Sequence, residues 1–485
     1  MATSATGRPG QRDLTSGPIA PAVLAFAIPT LLASILQSLN GSINAIWVGR
    51  FLGEGALAAT SNANMIMFLL MAFVFGFGMA ASVLSGQAFG AGDIDRVRRV
   101  TGTAIGGFLP FAIAIGVIGW ISAPALLEVL ATPADVTPLA LSYLRVIFLA
   151  MPPILLFIVL IMTLRGTGDA ITPLWFMIAA VFLDAGLNPV FILGLGPAPE
   201  LGIAGSATAT VFANYLTLIG LVIYIYRRDL VVRLRGAELG YLKPDGALLG
   251  IMIRKGIPMG LQMIVISSSA LILIGLVNRE GVHTTAAFGV AMQLWAYIQM
   301  PAMSLGAAVS AMAAQNIGAG KWDRVASITC VAILYNLLIT GLLVLLLWLG
   351  DRPALALFLG GESEAIPIAQ HIQLLATWSF LLMGMTMILF GTVRANGAVV
   401  APLAILFIGL FPVRLGFALA GYPSLGADAL WLSFPVASTV NLALAAAYYL
   451  HGGWKQARMG PPPAAEAVEE AHADCEPGGR LNPSG

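Results

Sequence analysis

The stretch Q-A-F-G-A-G, residues 87–92, returns as Q-N-I-G-A-G, residues 315–320, and each copy runs on into Asp-Arg-Val, at Asp95 and at Asp323. Working outward from this pair, Ile28-Pro29 recurs as Ile257-Pro258. R-G-T-G-D-A-I-T-P-L at 165–174 recurs as R-A-N-G-A-V-V-A-P-L at 394–403. The offset is 228 or 229 residues throughout. Several motifs at one spacing identify a duplicated chain, in which each copy is one structural unit.

The units are membrane bundles. Of 485 residues, 59% are hydrophobic and only 10% charged, with a mean hydropathy of +0.90. Soluble domains carry about 25% charge. A bilayer core of about 30 Å needs roughly 20 apolar residues per helix. Runs of that length begin near residues 21, 55, 100, 139, 170, 203, 250, 284, 326, 366, 399 and 427. Six spans per copy is an even number, so both copies enter the membrane in the same orientation and are related by an axis along its normal. The expected fold is therefore all-α, with twelve transmembrane helices in two pseudo-symmetric six-helix bundles.

Lys and Arg cluster on alternate connections. Nineteen lie at the termini or after even-numbered spans and five on the opposite side, so the positive-inside rule places both termini in the cytoplasm. The resulting plan is a cytoplasmic N-terminal tail at 1–20, a lobe at 21–226, a cytoplasmic linker at 227–249, a second lobe at 250–452 and a disordered cytoplasmic tail at 453–485. The polar N-terminus lacks the apolar core of a secretory signal, so insertion is expected to begin with the first span. A net charge of +1 gives no reason to expect nucleic acid. Cys330 and Cys475 form neither a disulfide framework nor a metal-ligand pattern.

I-P-x-x-x-A-S-x-x-Q in the first span (28–37), Q-x-x-G-A-G after the second and R-G-x-G-D-A-x-x-P after the fourth resemble the signatures of the multidrug and toxic compound extrusion (MATE) family, over roughly residues 19–454. The resemblance implies a monomeric inner-membrane antiporter that exports amphipathic, often cationic, small organic compounds in exchange for H+ or Na+ and needs no cofactor. In many members a carboxylate stands seven residues after the first-span Gln. Here that position is Asn44.

An ionised carboxylate at mid-membrane costs on the order of 3 kcal/mol, so an acid there is a functional candidate by default. Of the 23 acids only Asp184, in V-F-L-D-A-G-L-N-P-V-F-I, lies near the middle of a span. Family members often carry Asn and then Asp one turn later in this fifth span; here the order is Asp184 then Asn188. Four residues apart, the two share one helix face. Pro189 removes a backbone N–H and frees the carbonyl of residue 185 as an acceptor. In the first span Thr30, Ala33, Gln37, Asn40 and Asn44 form one stripe. The expected ion-coupling set is Asp184, Asn188, Asn44 and Thr210 of the sixth span. Burial opposes the charge on such a carboxylate, and Asn and Thr donors favour it. It can therefore exchange a proton or, with neighbouring oxygens, hold sodium.

For the substrate cavity the expected residues are Gln37, Asn40, Gln262, Gln293, Tyr297 and Trp378, with Gln299 and Asn441 further candidates. The second-half positions that can carry acids in the family are Ile266 and Met383 here. No nucleotide loop, metalloprotease motif or Ser/His/Asp spacing appears, so an enzyme is not expected. The competing transport class is a flippase for lipid-linked oligosaccharides, which needs basic residues inside its cavity. No intramembrane Lys and no Arg clearly at midplane is expected, which counts against it; Arg145 and Arg414, near span ends, are the weak point of that exclusion.

Overall fold

The computed structural model describes residues 13–129, 132–133, 136–195, 199–360 and 362–460. Among these, every regular element is helical. In the first half α1 (Ile19–Gly53) and α2 (Gly55–Gly90) meet at Gly53, whose φ of +83° breaks what would otherwise be one rod. There follow α3 (Ile94–Val129), α4 (Thr137–Leu149 and Met151–Gly166, bent by 49°), α5 (Ile171–Leu193) and α6 (Ile203–Arg227). The second half repeats the plan with α7 (Gly246–Val277), α8 (Val282–Gly318), α9 (Trp322–Leu349), α10 (Ala365–Ala376 and Ser379–Ala395, bent by 45°), α11 (Val400–Leu425) and α12 (Asp428–His451). Every start lies within about six residues of its expected position. Both bent pairs are the fourth element of their copy, so the duplication extends to backbone irregularities.

Eleven of the twelve are long and apolar enough to cross a membrane, counting each bent pair once; α8 is the exception. Its Ser304, Ser310, Gln315 and Asn316 are buried against protein and need not match lipid. Among the elements without a sequence signal are the short helix Asp351–Leu359 and the 3₁₀ turn Gly236–Leu242. The latter belongs to the connection between the halves, which lies against α3. Tyr241 donates to Asp95 at 2.6 Å, Arg98 pairs with Glu238, and Asp245 N–H donates to Thr103 Oγ1 at 3.3 Å. The tail expected to be disordered from 453 is ordered over 453–460, where Trp454 and Met459 are buried and Asn396 Nδ2 donates to Trp454 O at 2.9 Å and to Lys455 O at 3.0 Å; the rest of it lies outside the described residues.

The halves join through α1 on α8 and α2 on α7. Val23, Phe26 and Ala27 bury against Leu305, Ala308, Val309 and Met312, and Phe77 against Met252 and Met259. Beside these cores the two signature motifs clasp each other. Gln87 Nε2 donates to Ala395 O at 2.7 Å, and Gln315 Nε2 donates to Gly166 O at 3.0 Å. Each Q-x-x-G motif thus bonds the R-x-x-G segment of the other half, as a two-fold exchange requires. The glycines permit the approach: a Cβ on Gly90 would stand 1.9 Å from Gln315 O, and one on Gly318 would stand 2.0 Å from Gln87 O. Gln315 Oε1 also accepts from Leu14 N–H at 3.2 Å, tying the N-terminal segment to the second half.

Candidate functional site

Asp184 lies fourteenth in the 23-residue α5, about 20 Å along its axis, and is 3% exposed. Three helices bring polar groups to it. Thr210 Oγ1 on α6 donates to Asp184 Oδ1 at 3.0 Å, and Asn44 Nδ2 on α1 donates to Asp184 Oδ2 at 3.3 Å. Asn188 Nδ2, one turn along α5, donates to the Asp184 carbonyl at 2.8 Å and reaches its Oδ1 at 3.5 Å. The four expected ion-coupling residues therefore form one contiguous cluster.

The outer ring holds residues that sequence reasoning missed. Ser206 Oγ donates to Asn44 Oδ1 at 3.0 Å, which leaves the Asn44 amide N–H for the carboxylate. Ser206 precedes Thr210 by one helical turn, and that i, i+4 spacing was the available signal. Tyr143 on α4 is buried within electrostatic reach of Asp184. Asn40, expected in the substrate cavity, also acts on the Asp184 carboxylate. Gln37 is exposed and makes no hydrogen bond among the described residues.

Two acceptors here lack donors. Asn40 Oδ1 and Asn188 Oδ1 are both buried without a hydrogen-bond partner. The Asn188 amide nitrogen is committed to the Asp184 carbonyl, so turning that amide over would lose its best bond. A carboxylate beside two unsatisfied amide oxygens is a donor set suited to a small hard cation.

The second half contains a cavity of about 220 Å³ between α7, α8, α10, α11 and α12. Its walls include Ile266, Phe288, Met292, Trp295, Gln299, Met383, Arg414, Phe434 and Asn441. Gln262, Gln293, Tyr297 and Trp378, expected as cavity residues, do not line it. Gln262 is 4% exposed; it accepts from Arg394 Nη1 at 3.4 Å and donates to Val399 O at 3.5 Å. Gln293 and Tyr297 are exposed and stand two residues out of step with the cavity-lining Trp295 and Gln299, on another face of α8. Trp378, also exposed, falls at the break of α10. Arg414 corrects a further expectation: it is not near a span end but fifteenth in the 26-residue α11 and buried. Arg145 on α4 stacks its guanidinium 4.8 Å from the Trp120 ring centroid.

The profile of the MatE family matches residues 29–190 and again residues 258–419, so both matches begin at the Pro of the repeated Ile-Pro and share one length. The chain belongs to the MatE family. The MatE chain is 38% identical over 426 residues to "Probable multidrug resistance protein YoeA" of Bacillus subtilis, covering 87% of this chain and 92% of that one. It is 27% identical to "Probable multidrug resistance protein YpnP" of the same species, over 92% and 98% of the two chains. Among solved structures it resembles the "Outward-facing conformation of a multidrug resistance MATE family transporter of the MOP superfamily", at a TM-score of 0.84 and 20% identity, covering 94% of this chain and all of that one. That likeness is one of fold. Family membership makes the protein a multi-pass membrane transporter rather than an enzyme.

Proposed function

We propose that the protein is a multidrug efflux transporter of the inner membrane, an antiporter that exports amphipathic or cationic organic compounds by alternating access in exchange for H+ or Na+ bound at Asp184. The names of its relatives support the efflux class. The observation that carries the coupling reading is the buried Asp184 carboxylate held by Asn44, Thr210 and Asn188. Such a group is costly in the membrane unless a cation or proton meets it. Of the two ions, the unsatisfied oxygens of Asn40 and Asn188 favour sodium, because a bare cation requires several oxygens and a proton only one.

In this reading α1–α6 and α7–α12 are the moving lobes, the connection 228–245 is the cytoplasmic linker, and both termini are cytoplasmic. The clasped motifs then close the cytoplasmic end, which makes the conformation outward-facing. Gln37, Gln293, Tyr297 and Trp378, all exposed, are proposed to contact substrate outside the enclosed cavity.

The test is transport by purified protein in liposomes, with a Na+ or an H+ gradient imposed in turn and a fluorescent organic cation as cargo. Accumulation that follows the Na+ gradient supports the reading in full. Dependence on H+ alone moves the ion assignment to a proton, and transport indifferent to both gradients overturns the antiporter.

A further inference from the structure

The first half buries an acid among donors; the second half buries a base with no acid to meet it. Arg414 is 8% exposed and sits in the π-helical turn Gly409–Leu415. Its guanidinium carbon stands 3.8 Å from the centroid of the Phe434 ring, and its Nε is buried without an acceptor. No ion pair or hydrogen bond to Arg414 occurs among the described residues. None of the residues lining the adjoining cavity is acidic.

A guanidinium removed from water without a counter-charge costs several kcal/mol. Stacking on one ring returns only part of that cost. The charge is nonetheless held in a defined place. Ser269 Oγ donates to Leu410 O at 3.1 Å, bracing the π-turn, and Gly409 admits the Asn441 amide at a distance no Cβ would tolerate. The result is a fixed cation on the wall of a cavity lined mostly by aromatic, aliphatic and methionine side chains, with Gln299, Ser379, Thr386, Ser438 and Asn441 its neutral polar members.

The geometry points to a binding site for a small aromatic carboxylate, with its carboxylate on the Arg414 guanidinium and its rings among Phe288, Trp295, Met383 and Phe434. A carboxylate matches the planar fork of a guanidinium in a bidentate pair, the arrangement that most strongly compensates a buried Arg. Trp295 commits its Nε1–H at 2.9 Å to Gln373 Oε1 and 2.8 Å to Thr377 Oγ1, so it lines the cavity with apolar ring surface alone, packed with Phe288, Phe380 and Phe434. Drug-sized sites occupy roughly 300–1,000 Å³, so a cavity of about 220 Å³ suits one or two rings rather than a lipid-linked oligosaccharide.

The duplication sharpens the contrast between the halves. One repeat length of 229 after Asp184 falls on Val413, the neighbour of Arg414. Nearly equivalent positions thus carry opposite buried charges. The site extends the proposed cargo to organic anions and rests on the exporter reading only for the transport step, not for binding.

The test is equilibrium binding by calorimetry, with purified protein in a neutral detergent and no gradient. The probes are 2-naphthoate, the neutral 2-naphthamide and the cationic 2-naphthylmethylamine. Wild type is expected to bind the acid about tenfold or more tightly than the amide, and the amine no better than the amide. Arg414→Gln is expected to abolish the preference for the acid over the amide. Equal affinity for acid and amide in wild type overturns the proposal, as does undiminished acid binding by a folded Arg414→Gln. The wild-type comparison decides the matter alone if the variant does not fold. Acid-selective binding by a protein that fails the gradient assay refutes the exporter and leaves this site standing.

Discussion

The reciprocal clasp between the halves predicts a measurable shift in conformation. Gln87 and Gln315 contribute three hydrogen bonds across it: to Ala395 O, to Gly166 O and, through Gln315 Oε1, from Leu14 N–H. Each buried bond contributes about 1 kcal/mol net, and in the proposed alternating-access reading all three break when this end opens. Gln87→Met with Gln315→Met keeps side-chain volume and removes all three. The closed state then loses about 3 kcal/mol relative to the open one, a change of about 150-fold in their ratio. Because Gln315 holds two of the bonds, Gln315→Met alone should shift the ratio further than Gln87→Met alone. The assay is pulsed electron–electron distance measurement between spin labels at the exposed positions Ala91 and Asp323, which flank the clasp on opposite halves. Cys330, which is exposed, and Cys475 are first replaced by Ser. A population at longer distance should appear in the double variant. An unchanged distribution in a folded double variant refutes the claim that these bonds hold the end shut.

Other predictions follow from the same contacts. Gly90→Ala and Gly318→Ala each place a methyl about 2 Å from a backbone carbonyl of the other half, so each should open the same labelled pair without touching either Gln. Asn44→Ala removes one donor from Asp184 and should reduce gradient-driven transport roughly tenfold, from about 1.5 kcal/mol for a bond to a charged group. Asp184→Asn should reduce it more, and the reverse order in the liposome assay would move the coupling group to α1. Ser206→Ala should have a smaller effect, since Ser206 orients Asn44 and does not touch the carboxylate. Gly205→Ala should lower the melting temperature by several degrees, because its Cβ would stand 2.2 Å from Phe191 O where α5 and α6 pack.

Much of this was legible in the sequence, for reasons that differ by residue. The duplication could be read from glycines and prolines whose backbone roles recur in both halves, as Gly90 and Gly318 do at the clasp. The pairing of Asp184 with Asn188 followed from a four-residue spacing, and Asn44 and Thr210 from being the polar residues placed to meet them. Gln87 and Gln315 were readable as turn motifs, but their partners are the carbonyls of Ala395 and Gly166, and carbonyls belong to every residue. Gln262 looked like cavity lining because a polar residue in a span suggests one; the structure spends it on Arg394 and Val399. Arg414 was misplaced because charged residues mark span ends in hydropathy reasoning. A cavity, a π-turn and the ring of Phe434 keep it inside instead.

The central claim is that Asp184 couples cation movement to export. The direct measurement is gradient-driven uptake of a fluorescent organic cation into liposomes by wild type and by Asp184→Asn, with equal amounts of folded protein. The account predicts that wild type follows the imposed cation gradient and that Asp184→Asn loses the gradient-driven component. Gradient-driven transport at the wild-type rate in Asp184→Asn would contradict it.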